Sequence, residues 1–357
     1  MGELFKNMLG ADESVFKNVV ALDFSFQPKL IKFREKEQFA IANCIKPLFL
    51  KQSGRHVLVY GKPGIGKTVA VKHVFNELEE DYDEVVPIYI NCWTHNTSHK
   101  VVQELCDQIG YKFIQNKKTP ELFKEVVARF NKTSVVIAFD EVDKAEDFDF
   151  LYTLLEEVYR KSIILISNYR EWFINLDERI KSRLNPEQLN FKEYTFNETR
   201  GILDQRRSLA FYTDVMADDA FNIIVDHSYQ HKDIRTGLHL MKESGFIAED
   251  QSNRNVFIAQ VKKALEKLSE LNVKDTADLE EDASFILNII KMNSGKRIGD
   301  LFKIYQENAG KSSYRTFSRR INRLAEGKFI SVKKIAGGAE GSTTLISYQS
   351  VKKLTEF

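Results

Sequence analysis

The sequence predicts an α/β protein: a parallel αβα sandwich with a helical lid, followed by a small winged helix-turn-helix domain. Three observations predict it. A short apolar run ending in HVLVY leads into a glycine-rich loop, GKPGIGKT, and then into helical spacing in VAVKHVFNEL, the order strand, loop, helix. Further runs, VVPIYINC, TSVVIAFD and SIILISN, are continuously apolar rather than alternating, as strands of a parallel sheet covered on both faces must be. Near the end of the chain, three short amphipathic stretches precede two β-like runs flanking a Gly-rich tip.

Composition sets the outer bounds. The chain has 357 residues, 43% hydrophobic and 29% charged, which is ordinary globular composition with room for two or three domains. Its net charge of +1 hides an asymmetry: residues 281–357 hold 14 Lys and Arg against 7 Asp and Glu, and residues 1–280 hold 38 against 44. A net of +7 at one end and −6 before it points to a polyanion-binding module joined to a neutral or acidic body. No segment approaches the ~20 apolar residues a membrane helix needs, and MGELFKNMLGADES has no apolar core of signal-peptide length. The expected location is cytoplasmic and nucleoid-associated. Cys44, Cys92 and Cys106 have no paired spacing, and His95 and His99 lack a nearby ligand set, so buried free thiols and surface histidines are expected in place of a metal centre.

The glycine-rich loop carries the strongest chemistry. Gly61, Lys62, Pro63, Gly64, Ile65, Gly66, Lys67 and Thr68 fit GxxxxGK[ST], with Val69 opening the helix that follows. Glycines let backbone N–H groups turn inward around phosphates. Lys67 then neutralises the β- and γ-phosphates of ATP, Thr68 offers its hydroxyl to Mg²⁺, and the helix N-terminus adds its partial positive charge. The alternative is a chance Gly-rich turn. The run SVVIAFD ends in Asp140 with Glu141 after it, placing two carboxylates where open α/β sheets bind ligands: Asp140 for the hydrated Mg²⁺, Glu141 to polarise the attacking water. Asn168 sits at the corresponding end of SIILISN, either orienting that water or serving only as a turn residue. Thr195 and Glu198 form a T-x-x-E capping box opening the lid, which would continue to about Leu271.

After the acid-rich stretch NVKDTADLEED, helices are expected over 283–292, 298–308 and 314–326, then strands in FISVKKIA and STTLISY around GGAEG. In YRTFSRRINRL, Tyr314, Phe317, Ile321 and Leu324 share one helical side and Arg315, Arg319, Arg320 and Arg323 the other. With Ser313, Thr316, Lys333 and Lys334 these arginines would face duplex DNA, the third helix in the major groove and the hairpin on the backbone or minor groove. A protein-binding winged helix is the alternative.

In order, a phosphate-binding loop, an Asp-Glu pair and a sensor asparagine resemble the AAA+ ATPases. Several stretches narrow the resemblance to the archaeal origin-recognition replication initiators. VFKNVVALDFSFQPKLIKFREKEQ is similar to their N-terminal segment, which covers the adenine side of the pocket and ends in an Arg-Glu pair, here Arg34-Glu35; Phe33 stands where the family commonly has His. INCWTHNTSHKVVQELCDQIG resembles the strand and inserted helix of the initiator clade, over roughly residues 94–110. KDIRTGLHLMKESG resembles the second sensor helix, which implies that Arg235 approaches the γ-phosphate, with a surface salt bridge as the alternative. In LDERIKSRLNPEQL, Arg183 matches the position from which some AAA+ subunits reach into a neighbour's site; Arg179 is a second candidate, and a structural ion pair is the other reading.

The domains implied are 1–193 for nucleotide binding, 194–275 for the lid and 280–357 for the winged helix. The resemblance implies an ATPase that binds origin DNA as a double strand, switches slowly between ATP and ADP, and helps load the replicative helicase, with other copies or paralogues on DNA as further candidate partners. The rivals are a DNA-bound AAA+ regulator or mobile-element ATPase, and a non-hydrolysing DNA-binding protein with structural ADP.

Overall fold

The computed structural model describes residues 14–277, 281–308, 310, 312–326, 329–335 and 343–348. The chain forms two compact units that divide between Leu265 and Glu266.

In the first unit, five parallel strands lie in the order β2-β3-β4-β1-β5: β1 Val57–Tyr60, β2 Val85–Asn91, β3 Ser134–Asp140, β4 Lys161–Ser167 and β5 Glu187–Asn190. Every residue of β3 and β4 is buried, because helices cover both faces of these central strands. One face packs under α1 (Glu35–Ile45) and α2 (Lys67–Asp81), with Val57, Val59, Val136, Ala138, Ile164 and Ile166 in that core. The other face carries α3 (Ser98–Gln108), α4 (Thr119–Phe130), α5 (Asp149–Glu157) and α7 (Glu178–Leu184), with the short α6 (Glu171–Ile174) before α7. The β1 to β4 register pairs Tyr60 with Ser167, and the β2 to β3 register pairs Asn91 with Asp140. The C-terminal ends of four strands therefore open at one edge.

Four helices follow: α8 (Phe196–Ala210), α9 (Asp218–His231), α10 (Ile234–Asp250) and α11 (Ile258–Ala277), the last of which contains the division between the units. The expected capping box is formed, with the Glu198 N–H donating to Thr195 Oγ1 at 3.3 Å and the Thr195 N–H to Glu198 Oε2 at 2.7 Å. α11 runs six residues into NVKDTADLEED, which holds no Gly or Pro to stop it, so the expected linker is helical in its first half.

The second unit contains α12 (Glu281–Met292), β6 (Lys296–Arg297), α13 (Ile298–Glu307), α14 (Tyr314–Glu326), β7 (Ile330–Ile335) and β8 (Thr343–Tyr348). The antiparallel sheet has the order β6-β8-β7, so the expected hairpin gains a short third strand. Phe317, Ile321 and Leu324 of α14 are buried against Ile286, Ile290, Leu301 and Tyr305. Tyr314 differs from the expected stripe: it is 47% exposed in the first turn of α14, meeting Phe302 edge-on at 5.1 Å. The Gly-rich tip at 336–342 lies outside the described residues.

Candidate active site

At the open edge of the sheet lies a cavity of about 440 Å³ lined by residues from the glycine-rich loop, from the strand ends and from the helices after β5. The loop owes its shape to its glycines. Gly61, Gly64 and Gly66 have φ of 148°, 75° and 86°, conformations that side-chain-bearing residues rarely adopt. A Cβ at Gly66 would also lie 2.6 Å from the Tyr194 hydroxyl. Beneath the loop sits Arg34, 4% exposed, whose Nε and Nη2 donate to the Ile65 carbonyl at 3.2 and 2.9 Å while its guanidinium lies 4.0 Å from the Tyr194 ring centroid. Its acidic partner is Glu37, at 3.0 Å; Glu35 instead accepts from the Phe33 N–H, whose residue has φ 65°.

Lys67 begins α2 and is 7% exposed. Its ammonium donates to the carbonyls of Gly61 and Lys62 at 2.6 and 2.8 Å and to Asn168 Oδ1 at 2.9 Å. Burial is the main cause that brings this ammonium down to about 8, with Asp140 acting in the opposite sense. Asn168 is therefore part of the site, one residue past β4.

Asp140, buried at the end of β3, is held by three donors. Thr68 Oγ1 and the Tyr89 hydroxyl reach its Oδ2 at 2.6 and 2.8 Å, and the Glu141 N–H reaches its Oδ1 at 2.9 Å. Glu141 follows in the left-handed region at φ 51° and lines the cavity. Its carboxyl is pushed above the usual carboxylate range, chiefly by burial and then by the charges of Asp140 and Asp143. Thr68 and Asp140 present hard oxygens side by side, a donor set that suits Mg²⁺. The loop and Lys67 suit the phosphates of a nucleotide.

Arg235 enters from the first turn of α10. Asp233 caps that helix, accepting from the Arg235 N–H at 2.8 Å, and the same carboxylate takes the Arg235 guanidinium at 2.8 Å. The side chain lines the cavity, half exposed. Pro63, Gly64, Gly66, Thr68 and Val69 line it as well. Gly61 and Lys62 contribute the carbonyls already named, Lys62 pairing also with Glu193, while the Ile65 side chain is buried in the core. Arg183 stands elsewhere, paired with Glu156 at 2.5 Å over the Tyr152 ring, and Arg179 pairs with Asp177 at 3.1 Å.

Several cavity residues carry no motif of their own, although the resemblance of the lead-in implies that this segment covers the pocket. Phe24, Ser25, Pro28, Ile31 and Lys32 come from the lead-in before α1. That lead-in is strapped to the lid: Phe16 stacks near Phe211 and Phe246 at 5.0 and 5.2 Å, and buried Arg206 of α8 donates to the carbonyls of Ala21 and Phe26, each at 2.9 Å. Tyr89 and Lys72 also face the cavity. Tyr89 and Arg206 depend on partners dozens of residues away, beyond the reach of a motif.

In the second unit, Arg315, Thr316 and Arg319 line a shallow depression with Tyr314, Ser318 and Asn322. Ser313 precedes the helix, its hydroxyl 3.2 Å from Thr316 Oγ1. Arg320 departs from the expected face: it is partly buried, and Nη1 donates to Ser312 Oγ at 2.6 Å. At about 100° per residue it lies roughly 140° around the helix from Arg315. Lys333 is exposed on β7; the side chains of Arg323 and Lys334 lie outside the described residues.

Residues 50–170 match the AAA domain family, and residues 200–266 match the Cdc6 AAA+ ATPase-type lid domain. The chain is 25% identical to ORC1-type DNA replication protein 2 of Methanothermobacter thermautotrophicus, covering 96% of this chain and 94% of that protein. It is 29% identical to the ORC1-type DNA replication protein of Pyrococcus furiosus, covering 96% and 89%. Its fold is similar to that of the Aeropyrum pernix ORC1 protein solved in complex with DNA (TM-score 0.75, 24% identity, 93% of each chain). It is also similar to the Aeropyrum pernix ORC2 protein solved as ADPNP-ADP complexes (TM-score 0.64, 18% identity, 95% of each chain). With a sheet and glycine-rich loop matching an AAA domain, a Cdc6-type lid and likenesses running along nearly its whole length, the chain is similar to the archaeal ORC1-type DNA replication proteins.

Proposed function

We propose that the chain is an ATP-dependent DNA replication initiator that binds origin duplex DNA and changes state between ATP and ADP. The observation that carries this reading is the convergence of Lys67, Thr68, Asp140, Glu141, Asn168 and Arg235 on one cavity behind a glycine-shaped loop. Phosphate oxygens would take the place of the Gly61 and Lys62 carbonyls at the Lys67 ammonium. Mg²⁺, held by Thr68 and Asp140, would neutralise charge on the β- and γ-phosphates. Glu141 accepts the proton of the attacking water and Asn168 orients that water. Arg235 pairs with the γ-phosphate from the lid, so loss of that phosphate releases a contact between lid and sheet. This gives the switch its physical basis. The bent lead-in, with Phe24, Pro28 and Ile31, supplies an apolar wall for the adenine.

In this reading the second unit is a winged helix-turn-helix, with α14 in the major groove and Arg315 and Arg319 foremost among its DNA contacts. Ser313, Thr316 and Lys333 join them, whereas Arg320 is held to Ser312 away from that face; Arg323 and Lys334 are further candidates on their sequence positions alone. The folded likeness to an ORC1 protein solved with DNA supports this assignment. Arg183, outside its own cavity, is free to exchange Glu156 for the γ-phosphate of a neighbouring copy. The ATP-bound state then helps to recruit the replicative helicase.

The test is Glu141→Gln. It should retain nucleotide while hydrolysis falls about a hundredfold or more, as when a residue that activates the nucleophile is removed. Equally negligible turnover in both proteins, with and without DNA, would leave a structural nucleotide and no enzyme. Genome-wide mapping of bound sites separates an initiator, with clustered sites beside a replication start, from a regulator spread over promoters.

A further inference from the structure

We infer that Tyr89 is a positioning residue for the divalent cation, setting the orientation of the Asp140 carboxylate from outside the ligand set; this rests on the nucleotide and cation reading above. Of the three donors on Asp140, Thr68 and Glu141 have tasks of their own in that reading. The Tyr89 hydroxyl donates to Asp140 Oδ2 at 2.8 Å and also meets the Asn91 side chain.

The backbone explains why a tyrosine fits here. Tyr89 pairs in register with Ala138 and Asn91 pairs with Asp140, so Tyr89 starts two residues short of the carboxylate it serves. Ala138, Asp140 and Tyr89 share the sheet face that packs under α2, since Val136 and Ala138 belong to that core while Ile137 and Phe139 belong to the opposite one. The small Ala138 leaves room for a ring to lie along the strand. Two residues of strand rise about 6.6 Å, the span of a tyrosine side chain, so its hydroxyl arrives level with Asp140.

Both the backbone and the ring of this residue are held. Gln108 Nε2, at the C-terminal end of α3, donates to the Tyr89 carbonyl at 2.9 Å, and the Lys72 ammonium lies 4.1 Å from the ring centroid. A cation on the face of the ring is attracted to it and helps to fix the phenol in place. Tyr89 thereby limits rotation of Asp140 and presents the other carboxylate lone pairs to the cation. A hydrogen-bond partner of this kind typically alters metal affinity by roughly 10–100-fold when removed.

The experiment titrates MgCl₂ into the full chain with a fluorescent ATP analogue, reading anisotropy for wild type and for Tyr89→Phe, which keeps the ring and deletes only the hydroxyl. Expected is a rise of about tenfold in the Mg²⁺ concentration giving half-maximal enhancement of binding, at unchanged affinity in EDTA and with only the few-degree fall in melting temperature that one lost hydrogen bond produces. The same Mg²⁺ midpoint in both proteins overturns the assignment. So does a loss of metal-free binding, or a variant unfolded at the assay temperature, which makes the hydroxyl a structural prop. Wild type that binds the analogue with no response to Mg²⁺, or does not bind it, removes the cation or nucleotide reading itself, and Tyr89 falls with it.

Discussion

The two units handle positive charge in opposite ways. In the first, Lys67, Arg34 and Arg206 are all nearly inaccessible, and each is fastened to named carbonyl oxygens. In the second, Arg315 and Arg319 are exposed on a helix that carries no acid in its first turn. A buried cation is desolvated, so its position and protonation state matter atom by atom. An exposed one acts through a screened field, so number and spacing count for more than any single geometry. The difference suits the proposed roles, a site for one small phosphate ligand and a surface for a long regular polyanion.

Breaking the buried side should have the largest effect. Lys67→Ala removes charge-assisted bonds to phosphate at roughly 1.5–3 kcal/mol each, so nucleotide affinity by calorimetry should fall about a hundredfold or more. Reversing Arg315 and Arg319 together to Glu should weaken duplex binding by ten- to a hundredfold at low salt, with the log–log salt slope shallower by about 2. Unchanged affinity in that double variant would take α14 out of the interface.

The comparison sharpens with pH. The Lys67 ammonium titrates at about 8 in the folded protein, below its ordinary 10.5, so the penalty for burying its charge is present below pH 8 and is relieved as pH rises toward 10.5. The unliganded fold should gain stability across that window. Nucleotide affinity should move the other way, falling by up to about tenfold per pH unit above 8 as the charged form is lost. Exposed arginines stay charged throughout, and DNA binding should show no such inflection.

Smaller effects test the scaffold. Arg206 is brought down to about 10 by burial alone, and Arg206→Met would strand the Ala21 and Phe26 carbonyls. That should cost about 1–3 kcal/mol by thermal denaturation and expose residues 14–32 to protease. Thr195→Ala should cost about 1 kcal/mol by opening the capping box of α8.

The sequence made legible what is local. The glycine-rich loop, Asp140, Glu141, Asn168 and the capping box each announce themselves within a few residues, and the apolar runs of β1 to β4 mark central strands. The edge strand β5 did not show, because EQLN is polar, largely exposed and paired on one side only. Tyr89 and Arg206 were equally hidden, since their importance lies in oxygens 51 and about 180 residues distant along the chain. In α14 the alternation of apolar and basic residues gave the buried side correctly at Phe317, Ile321 and Leu324, but it merged Arg320 with a face from which helical rotation removes it.

Gly64 deserves a different reading from its neighbours. A Cβ there would collide with the Asp233 carboxylate, and the Gly64 carbonyl accepts from the Ile234 N–H at 3.3 Å. The cap of a lid helix thus rests directly on the phosphate loop, with no side chain between. Any displacement of the loop at this point is transmitted to α10 by contact rather than through a chain of intermediates. Even one added methyl would act as a wedge, holding ajar the joint that an ATP-to-ADP cycle would work.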